Sequence, residues 1–218
     1  MKPICIQDAL FKAGIGAGQP APRQYKPVRY DLAFITSGLH PSIDAAHKAV
    51  QWWINDITHA ANDRRRWLTL FGKSGCGKSH LLTAAKAYAV AALPPRSVQL
   101  WNWGRLMERL LDGRHPGLFH QVSTLKVLIL DDIGCELVAS EKAQSVAMRQ
   151  LYELLEARRG KWTLMASNLA PNDFPDVRIA SRLFRYGNEV IDLSKAGDYA
   201  FEVYKKNHAR SNDAQFSV

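Results

Sequence analysis

The sequence predicts an α/β fold in which helices flank a parallel sheet of five strands. Three observations point to this class. Residues 127–130 form an uninterrupted apolar run, which is typical of a parallel strand that is buried on both faces. Short apolar runs alternate with segments of helical periodicity along the chain. A glycine-rich turn at residues 72–79 joins one of these runs directly to a helical segment. Such a chain is expected to make right-handed crossovers and to bind ligand at the carboxyl ends of its strands.

The first half of the chain is predicted to begin with an amphipathic helix over residues 42–60, in which Ile43, Val50 and Ile57 recur at helical spacing. A strand, a helix, a second strand and a short helix follow, at residues 67–71, 80–89, 98–101 and 103–112. The proline pair at residues 94–95 separates the second helix from the second strand, because proline cannot continue a helix.

In the second half of the chain, the apolar run at residues 127–130 is the third strand. Ser140 is the predicted N-cap of the next helix and Gly160 its stop, with Ala147 and Leu151 on the apolar face. The remaining elements are a strand, a helix and a fifth strand, at residues 162–166, 176–186 and 189–193.

The chain of 218 residues is long enough for one such domain with a buried core. We expect this domain at residues 36–207, after a flexible N-terminal extension over residues 1–35 and before a polar C-terminal tail over residues 208–218. The formal net charge of +9 favours a polyanionic partner, and nucleic acid is the simplest one.

The cysteines and the hydropathy pattern restrict the compartment. There are three cysteines and no C-x-x-C spacing, which argues against a disulfide or zinc framework and for a reducing environment. No apolar run approaches the length of a membrane span. The protein is therefore expected to be cytoplasmic, without a membrane partner.

Residues 72–79 complete the pattern G-x-x-x-x-G-K-[ST] between the first strand and the second helix, the context in which this pattern binds nucleotide phosphates. Its glycines let backbone N–H groups converge on a phosphate, and the helix N-terminus adds partial positive charge. Lys78 is expected to reach the β- and γ-phosphates of ATP, and the Ser79 hydroxyl to ligate Mg²⁺. The residues predicted to bind the nucleotide are Gly72, Lys73, Ser74, Gly75, Cys76, Gly77, Lys78, Ser79 and His80.

Two carboxylates follow the apolar run of the third strand. Asp131 is expected to hold Mg²⁺ through water, and Asp132 to polarise the water that attacks the γ-phosphate. Glu136 is a second candidate for this base, or a support for Asp132, and the sequence leaves the choice open.

Four segments together resemble the DnaC/IstB group of AAA+ ATPases. They are FGKSGCGKSHL at residues 71–81, LILDDIGCE at 128–136, ASNL at 166–169 and RIASRL at 178–183. The resemblance covers residues 40–204 and implies a P-loop NTPase with a AAA+ core, ATP hydrolysis and no separate C-terminal lid domain. The chain departs from the loader members of the group at Ala200, where they tend to carry an arginine that senses the nucleotide.

The same resemblance implies roles for further residues. Asn168 corresponds to the sensor that helps to position the attacking water and the γ-phosphate. Arg182 corresponds to the arginine finger, which stabilises the transferring phosphoryl group of a neighbouring subunit, and Arg178 is the near alternative. The predicted catalytic residues are therefore Lys78, Asp132, Asn168 and Arg182. Because the finger acts on the next subunit, a head-to-tail homo-oligomer that assembles with ATP is expected.

A basic segment follows the second predicted strand. Arg105, Arg109 and Arg114 lie near Trp101 and Trp103 in the sequence. Arginines beside aromatic rings suit single-stranded DNA, because the cations contact phosphates and the rings stack on bases. We therefore expect the three arginines and Trp103 to contact DNA. The plainer interpretation is a solvated helix face with a tryptophan in the core.

The resemblance implies a helicase loader that binds single-stranded DNA and a replicative helicase and hydrolyses ATP at subunit interfaces during replication initiation. The N-terminal extension would then be the segment that docks the helicase. Two alternatives stay open. One is an IstB-type helper ATPase that prepares DNA for a transposase. The other is a nucleotide-gated DNA-binding adaptor with little turnover, which Asp132 and Ala200 would both allow.

Overall fold

A computed structural model describes residues 40–59, 67–134, 141–185 and 188–198. Several predictions fall outside these described residues, namely those for the extension at 1–35, Glu136, the N-cap Ser140, Ala200 and the tail at 208–218. The predicted domain boundaries therefore stay predictions. None of the helices in the described ranges combines the length and the hydropathy that crossing a bilayer requires.

The five strands form one sheet in which every pairing is parallel. They are β1 (Trp67–Phe71), β2 (Val98–Asn102), β3 (Val127–Ile133), β4 (Trp162–Ser167) and β5 (Glu189–Asp192). Their order across the sheet is β2-β3-β4-β1-β5. The predicted fold class is thus confirmed. Because the strands are parallel and β4 lies between β1 and β3, the segments that follow these three strands meet at the carboxyl end of the sheet.

Six helices are present in the part of the chain that the structure describes. They are α1 (Pro41–His59), α2 (Lys78–Ala92), α3 (Trp103–Leu111), α4 (Leu118–Thr124), α5 (Glu141–Ala157) and α6 (Val177–Leu183), and a 3₁₀ turn covers Pro171–Asp173. Sequence reasoning did not predict α4. This helix has only seven residues, so its buried Leu118 and Val122 give too short a periodic pattern. Gly117, with φ of 88°, begins it.

The core lies on both faces of the sheet. One cluster contains Val127 and Ile129 together with apolar residues of α1 and α2, and the other contains Leu128 and Leu130 together with α3, α4, α5 and α6. These four side chains, at residues 127–130 of β3, are fully buried. Successive residues of a strand point to opposite faces, so a strand covered on both sides must be apolar throughout. This explains the uninterrupted run that predicted the fold.

A charged side chain, Arg158, is also fully buried, just after α5. Its Nε donates to Thr163 Oγ1 at 2.9 Å, and its Nη2 donates to the carbonyl of Trp162 at 2.6 Å. Its Nη1 donates to the carbonyls of Val122 and Leu125, both at 3.0 Å. The guanidinium therefore closes the C-terminal end of α4 and ties it to the start of β4. Burial lowers its pKa to about 10.

We predict that the protein loses stability as the pH falls below 7, because the imidazole of His47, on α1, is buried. No hydrogen-bond partner of Nε2 is present among the described residues. Burial lowers the pKa of His47. The carboxylate of Asp44 partly opposes this shift, and the positive charge of Lys48 adds to it. Burial also lowers the pKa of His80. Below the unfolded pKa of about 6.5, the unfolded chain therefore binds protons that the folded chain does not, and the free energy of unfolding falls.

Urea denaturation at pH 7 and at pH 5.5 would measure this change, with His47→Leu as the comparison. The variant should show a weaker pH dependence than the original chain, because the contribution of His47 is then lost. An equal pH dependence in both proteins would contradict the assignment to His47.

Candidate functional site

The phosphate loop spans residues 72–79, between β1 and α2. Gly75 and Gly77 have φ of 82° and 96°, in the left-handed region that favours glycine. A Cβ atom at Gly77 would meet nothing within 4 Å, so the backbone conformation, and not a lack of space, requires glycine there. Gly77 immediately precedes α2, whose first N–H groups are therefore available to an anion.

Lys78 is held inside the loop, with 6% of its surface exposed. Its Nζ donates to the carbonyl oxygens of Gly72 at 2.6 Å and Lys73 at 2.8 Å, and lies 3.7 Å from Cys76 Sγ. These contacts fix a positive charge in the loop where the sequence pattern predicts it. Cys76 is buried and packs into the core cluster of α1 and α2.

The loop is joined to β3 by a hydrogen bond from Ser79 Oγ to Asp131 Oδ1, at 3.1 Å. Burial raises the pKa of Asp131, and the hydrogen bond from Ser79 opposes this rise. A bound cation would favour the ionised carboxylate, so a metal ion at this position would relieve the effect of burial. The structure thus brings together the two residues that were predicted to hold Mg²⁺.

Asp132 lies in a bulge of β3, with φ of 63°. The pairing of β3 with β4 shifts register between Leu130 and Ile133. In a regular strand, adjacent side chains point to opposite faces, but here Asp131 and Asp132 both line the cleft beside the loop. Strain of this kind is concentrated at functional sites.

Two amides orient the Asp132 carboxylate. Asn168 Nδ2 donates to Asp132 Oδ1 at 2.8 Å, and Asn102 Nδ2 lies 3.5 Å from Asp132 Oδ2. Sequence reasoning missed Asn102, although it is a polar residue at the carboxyl end of β2. The register places it beside Asp131, and its side-chain oxygen accepts from Arg105 N at the start of α3.

Ser167, at the end of β4, connects the parts of the site. Its Oγ donates to the carbonyl of Ile133 at 3.0 Å and accepts from Leu169 N, and its carbonyl accepts from Gly72 N at 3.1 Å. Asn168 N also donates to the Ile133 carbonyl, at 3.2 Å. These bonds hold Asn168, the bulge and the loop in a fixed arrangement.

The resulting cleft has a volume of about 220 Å³. Its lining contains nine residues, all predicted from the sequence: Ser74, Gly75, Gly77, Lys78, Ser79, His80, Asp131, Asp132 and Asn168. The other predicted nucleotide residues, Gly72, Lys73 and Cys76, belong to the loop but not to this lining.

ATP and Mg²⁺ fit the residues of this cleft. The glycine turn and the start of α2 offer N–H donors to phosphates, and Ser79 and Asp131 offer hard oxygen ligands to Mg²⁺. No group of three or more His, Cys, Asp or Glu side chains that could hold a metal is present in the described ranges. The metal would therefore depend on phosphate oxygens and water for its other ligands, as is usual for nucleotide-bound Mg²⁺.

Neither predicted finger arginine lines the cleft of its own chain. Arg182 lies in the last turn of α6, where its guanidinium donates to Glu156 and to the hydroxyl of Tyr152. Arg178 lies in the first turn of α6, exposed, where it pairs with Asp176. The role of either arginine toward a neighbouring copy stays a prediction.

The prediction that Trp103 contacts DNA is wrong, because its side chain is fully buried in the core cluster of α3, α4, α5 and α6. Arg105, Arg109 and Arg114 are exposed, and they remain candidates. Trp101 is partly exposed, and the centre of its ring lies 5.3 Å from the guanidinium carbon of Arg109.

Comparisons with known proteins agree with this geometry. A family model described as the bacterial DnaA ATPase domain matches residues 35–188. A structure of the replication initiator DnaA bound to AMPPCP and single-stranded DNA superposes with a TM-score of 0.58 at 19% identity, over 87% of this chain and 57% of that chain. The chain thus spans little more than half of that DnaA structure. A comparison with curated protein sequences found no match.

Two further structures are similar in fold. Domain III of DnaA from Thermotoga maritima has a TM-score of 0.62 at 20% identity, over 79% of this chain and 69% of that chain. The DnaC helicase loader has a TM-score of 0.56 at 21% identity, over 76% of this chain and 98% of that chain. At these identities the likeness shows the fold, and the predicted AAA+ core is confirmed.

Proposed function

The chain belongs to the family of bacterial DnaA ATPase domains, and from this membership we propose that it is an ATP-dependent helicase loader of replication initiation. The family supports the predicted ATPase. In this proposal the protein acts in the cytoplasm, where it binds single-stranded DNA and a replicative helicase and hydrolyses ATP between neighbouring copies. The loader assignment is supported by the similarity in fold to the DnaC helicase loader structure, which this chain matches over 98% of that chain.

One observation carries the proposal: the pairs Ser79–Asp131 and Asn168–Asp132 converge on the phosphate loop. A lone glycine loop could bind a phosphate without further chemistry. Here the loop faces a carboxylate beside a hydroxyl, and a second carboxylate that an amide orients. This combination supplies a metal site and a base within one cleft, which is what hydrolysis of a nucleoside triphosphate requires.

When bound, Mg²⁺ would neutralise phosphate charge, and ATP would supply the phosphoryl group. Lys78 and the loop N–H groups would hold the phosphates, Ser79 would ligate the metal, and Asp131 would hold it through water. Asp132 accepts the proton of the attacking water as general base, with Asn168 fixing the orientation of its carboxylate. Because aspartate is shorter than the usual glutamate of AAA+ ATPases, slow turnover is expected.

The proposed assembly is a head-to-tail homo-oligomer in which Arg182 of one copy faces the ATP of the next. Such heterologous contacts generate rings or open helices. DNA would contact the exposed Arg105, Arg109 and Arg114, with Trp101 in place of Trp103 as the ring that stacks on a base. The solved DnaA complex with single-stranded DNA supports this class of partner.

We predict that affinity capture from the host, with Asp132→Asn as an ATP-trapping bait, recovers the replicative helicase. The variant should keep the metal and phosphate ligands but lose the base, so the ATP-bound assembly persists. Mass spectrometry of the captured proteins is the measurement, and Lys78→Ala bait is the matched control that should recover no helicase.

The other outcomes of this capture are also informative. Recovery of a transposase would replace the loader by the IstB-type helper. Recovery of neither partner, with DNA binding that still requires ATP, would support the nucleotide-gated adaptor and contradict the loader.

A further inference from the structure

The side chain of Arg182 is enclosed by two residues of α5 that have no role in the site so far. Tyr152 and Glu156 are four residues apart, so their side chains project from the same face of the helix. Arg182 Nε donates to Glu156 Oε1, and Nη2 donates to the Tyr152 hydroxyl at 3.2 Å. The guanidinium carbon also lies 5.5 Å from the centre of the Tyr152 ring.

The two arginines of α6 differ in how firmly they are held. The side chain of Arg182 is 14% exposed and that of Glu156 is 29% exposed, whereas Arg178 is 59% exposed. Arg178 pairs with Asp176, and its guanidinium carbon lies 4.3 Å from the centre of the Tyr152 ring. Arg178 donates to both carboxylate oxygens of Asp176, but the exposed guanidinium is screened by solvent, which weakens the pair. The contacts of Arg182 are shielded enough to fix one orientation.

We infer that Tyr152 and Glu156 are positioning residues, which hold Arg182 in the orientation that it needs to reach the nucleotide of a neighbouring copy. This inference rests on the proposed function, in which Arg182 acts in trans. A guanidinium has five N–H donors in a rigid plane. Two of the donors of Arg182 are accepted by Glu156 and Tyr152. The other three have no acceptor among the described residues and would be offered to phosphate oxygens.

The physical reason is conformational entropy. A free arginine side chain must give up its rotamers when it binds a phosphate, which weakens the interaction. Tyr152 and Glu156 remove that freedom before the neighbouring copy arrives. Ordering the side chain in advance therefore strengthens the interaction at the moment when charge develops on the transferring phosphoryl group.

The test compares steady-state ATP hydrolysis of Glu156→Ala, Glu156→Gln and Tyr152→Leu with that of the original chain. We expect kcat to fall about tenfold in the alanine and leucine variants. KM for ATP and the affinity for a non-hydrolysable ATP analogue should not change, because neither residue lines the cleft. Glu156→Gln retains an oxygen that accepts from Arg182 Nε, so kcat should recover to within about threefold of the original value.

Glu153→Ala is the matched control. Glu153 lies on the same helix and pairs with Arg149, so this variant removes a carboxylate from α5 without touching Arg182. It should hydrolyse ATP at the original rate. Thermal denaturation of all variants shows that they are folded.

A mixing experiment separates positioning from a merely structural effect. Lys78→Ala copies should not hydrolyse ATP but carry intact Tyr152, Glu156 and Arg182. Added to Glu156→Ala copies, they should present a well-oriented Arg182 and raise hydrolysis several-fold. Copies with both substitutions should give no such rescue.

Two results would count against this account in different ways. Glu156→Ala and Tyr152→Leu proteins that hydrolyse ATP as fast as the original chain, or faster, would overturn the inference alone. An Arg182→Ala protein with unchanged hydrolysis would instead remove the action in trans from the proposed function.

Discussion

Replacement of Lys78 by alanine is expected to abolish ATP hydrolysis and to weaken nucleotide binding about a hundredfold or more. The Lys78 amine is the buried cation of the loop, fixed by the carbonyl oxygens of Gly72 and Lys73. Its removal leaves the phosphates of ATP without the buried positive charge of the loop. It also leaves two carbonyl oxygens of the loop without their donor. Titration with a non-hydrolysable ATP analogue and a steady-state hydrolysis assay would measure both effects.

Lys86→Ala is the matched control for this prediction. Lys86 lies on the same helix, α2, outside the cleft. Lys86→Ala removes one positive charge from the chain, as Lys78→Ala does. Comparison of the two variants therefore separates the local role of Lys78 from any effect of net charge. Wild-type turnover in the Lys78→Ala protein would remove the phosphate loop from the mechanism.

Replacement of Arg158 by methionine is expected to lower the free energy of unfolding by about 3 kcal/mol or more. Methionine fills a similar volume but cannot donate hydrogen bonds. The carbonyls of Val122, Leu125 and Trp162 would then be buried without their partner, and the end of α4 would lose its connection to β4. Urea denaturation, followed by circular dichroism, is the measurement.

Two comparisons sharpen the prediction for Arg158. Arg158→Lys should also be strongly destabilising, because a single amine cannot reproduce the planar fork that reaches three carbonyls. Arg149→Met, at an exposed position of α5, should leave the midpoint of denaturation nearly unchanged. An Arg158→Met protein that unfolds at the original urea concentration would contradict the structural role of this guanidinium.

Features that depend on contiguous residues could be predicted from the sequence. The apolar run of β3 and the pattern of residues 72–79 each encode their structure locally, and both are present as predicted. The helix α4 could not be predicted, because seven residues with two buried apolar side chains give no clear period. The error at Trp103 was avoidable, since Trp103, Leu106 and Met107 recur at helical spacing and are buried together.

Contacts between segments that are far apart in the sequence could not be predicted. The approach of Asn102 to Asp132 depends on the pairing of β2 with β3, and the sequence does not give the strand order. The burial of Arg158 depends on where α4 ends relative to β4. Charged residues are usually exposed, so nothing in the local pattern marked this arginine as part of the core.

The central claim is that the cleft beside the phosphate loop binds ATP with Mg²⁺, and a crystal structure with a non-hydrolysable ATP analogue and Mg²⁺ tests it most directly. We predict that the phosphates occupy the cleft, that Mg²⁺ contacts Ser79 Oγ, and that Lys78 Nζ leaves the carbonyls of Gly72 and Lys73 for phosphate oxygens. An analogue bound elsewhere, with Lys78 still hydrogen-bonded to those carbonyls, would contradict the claim.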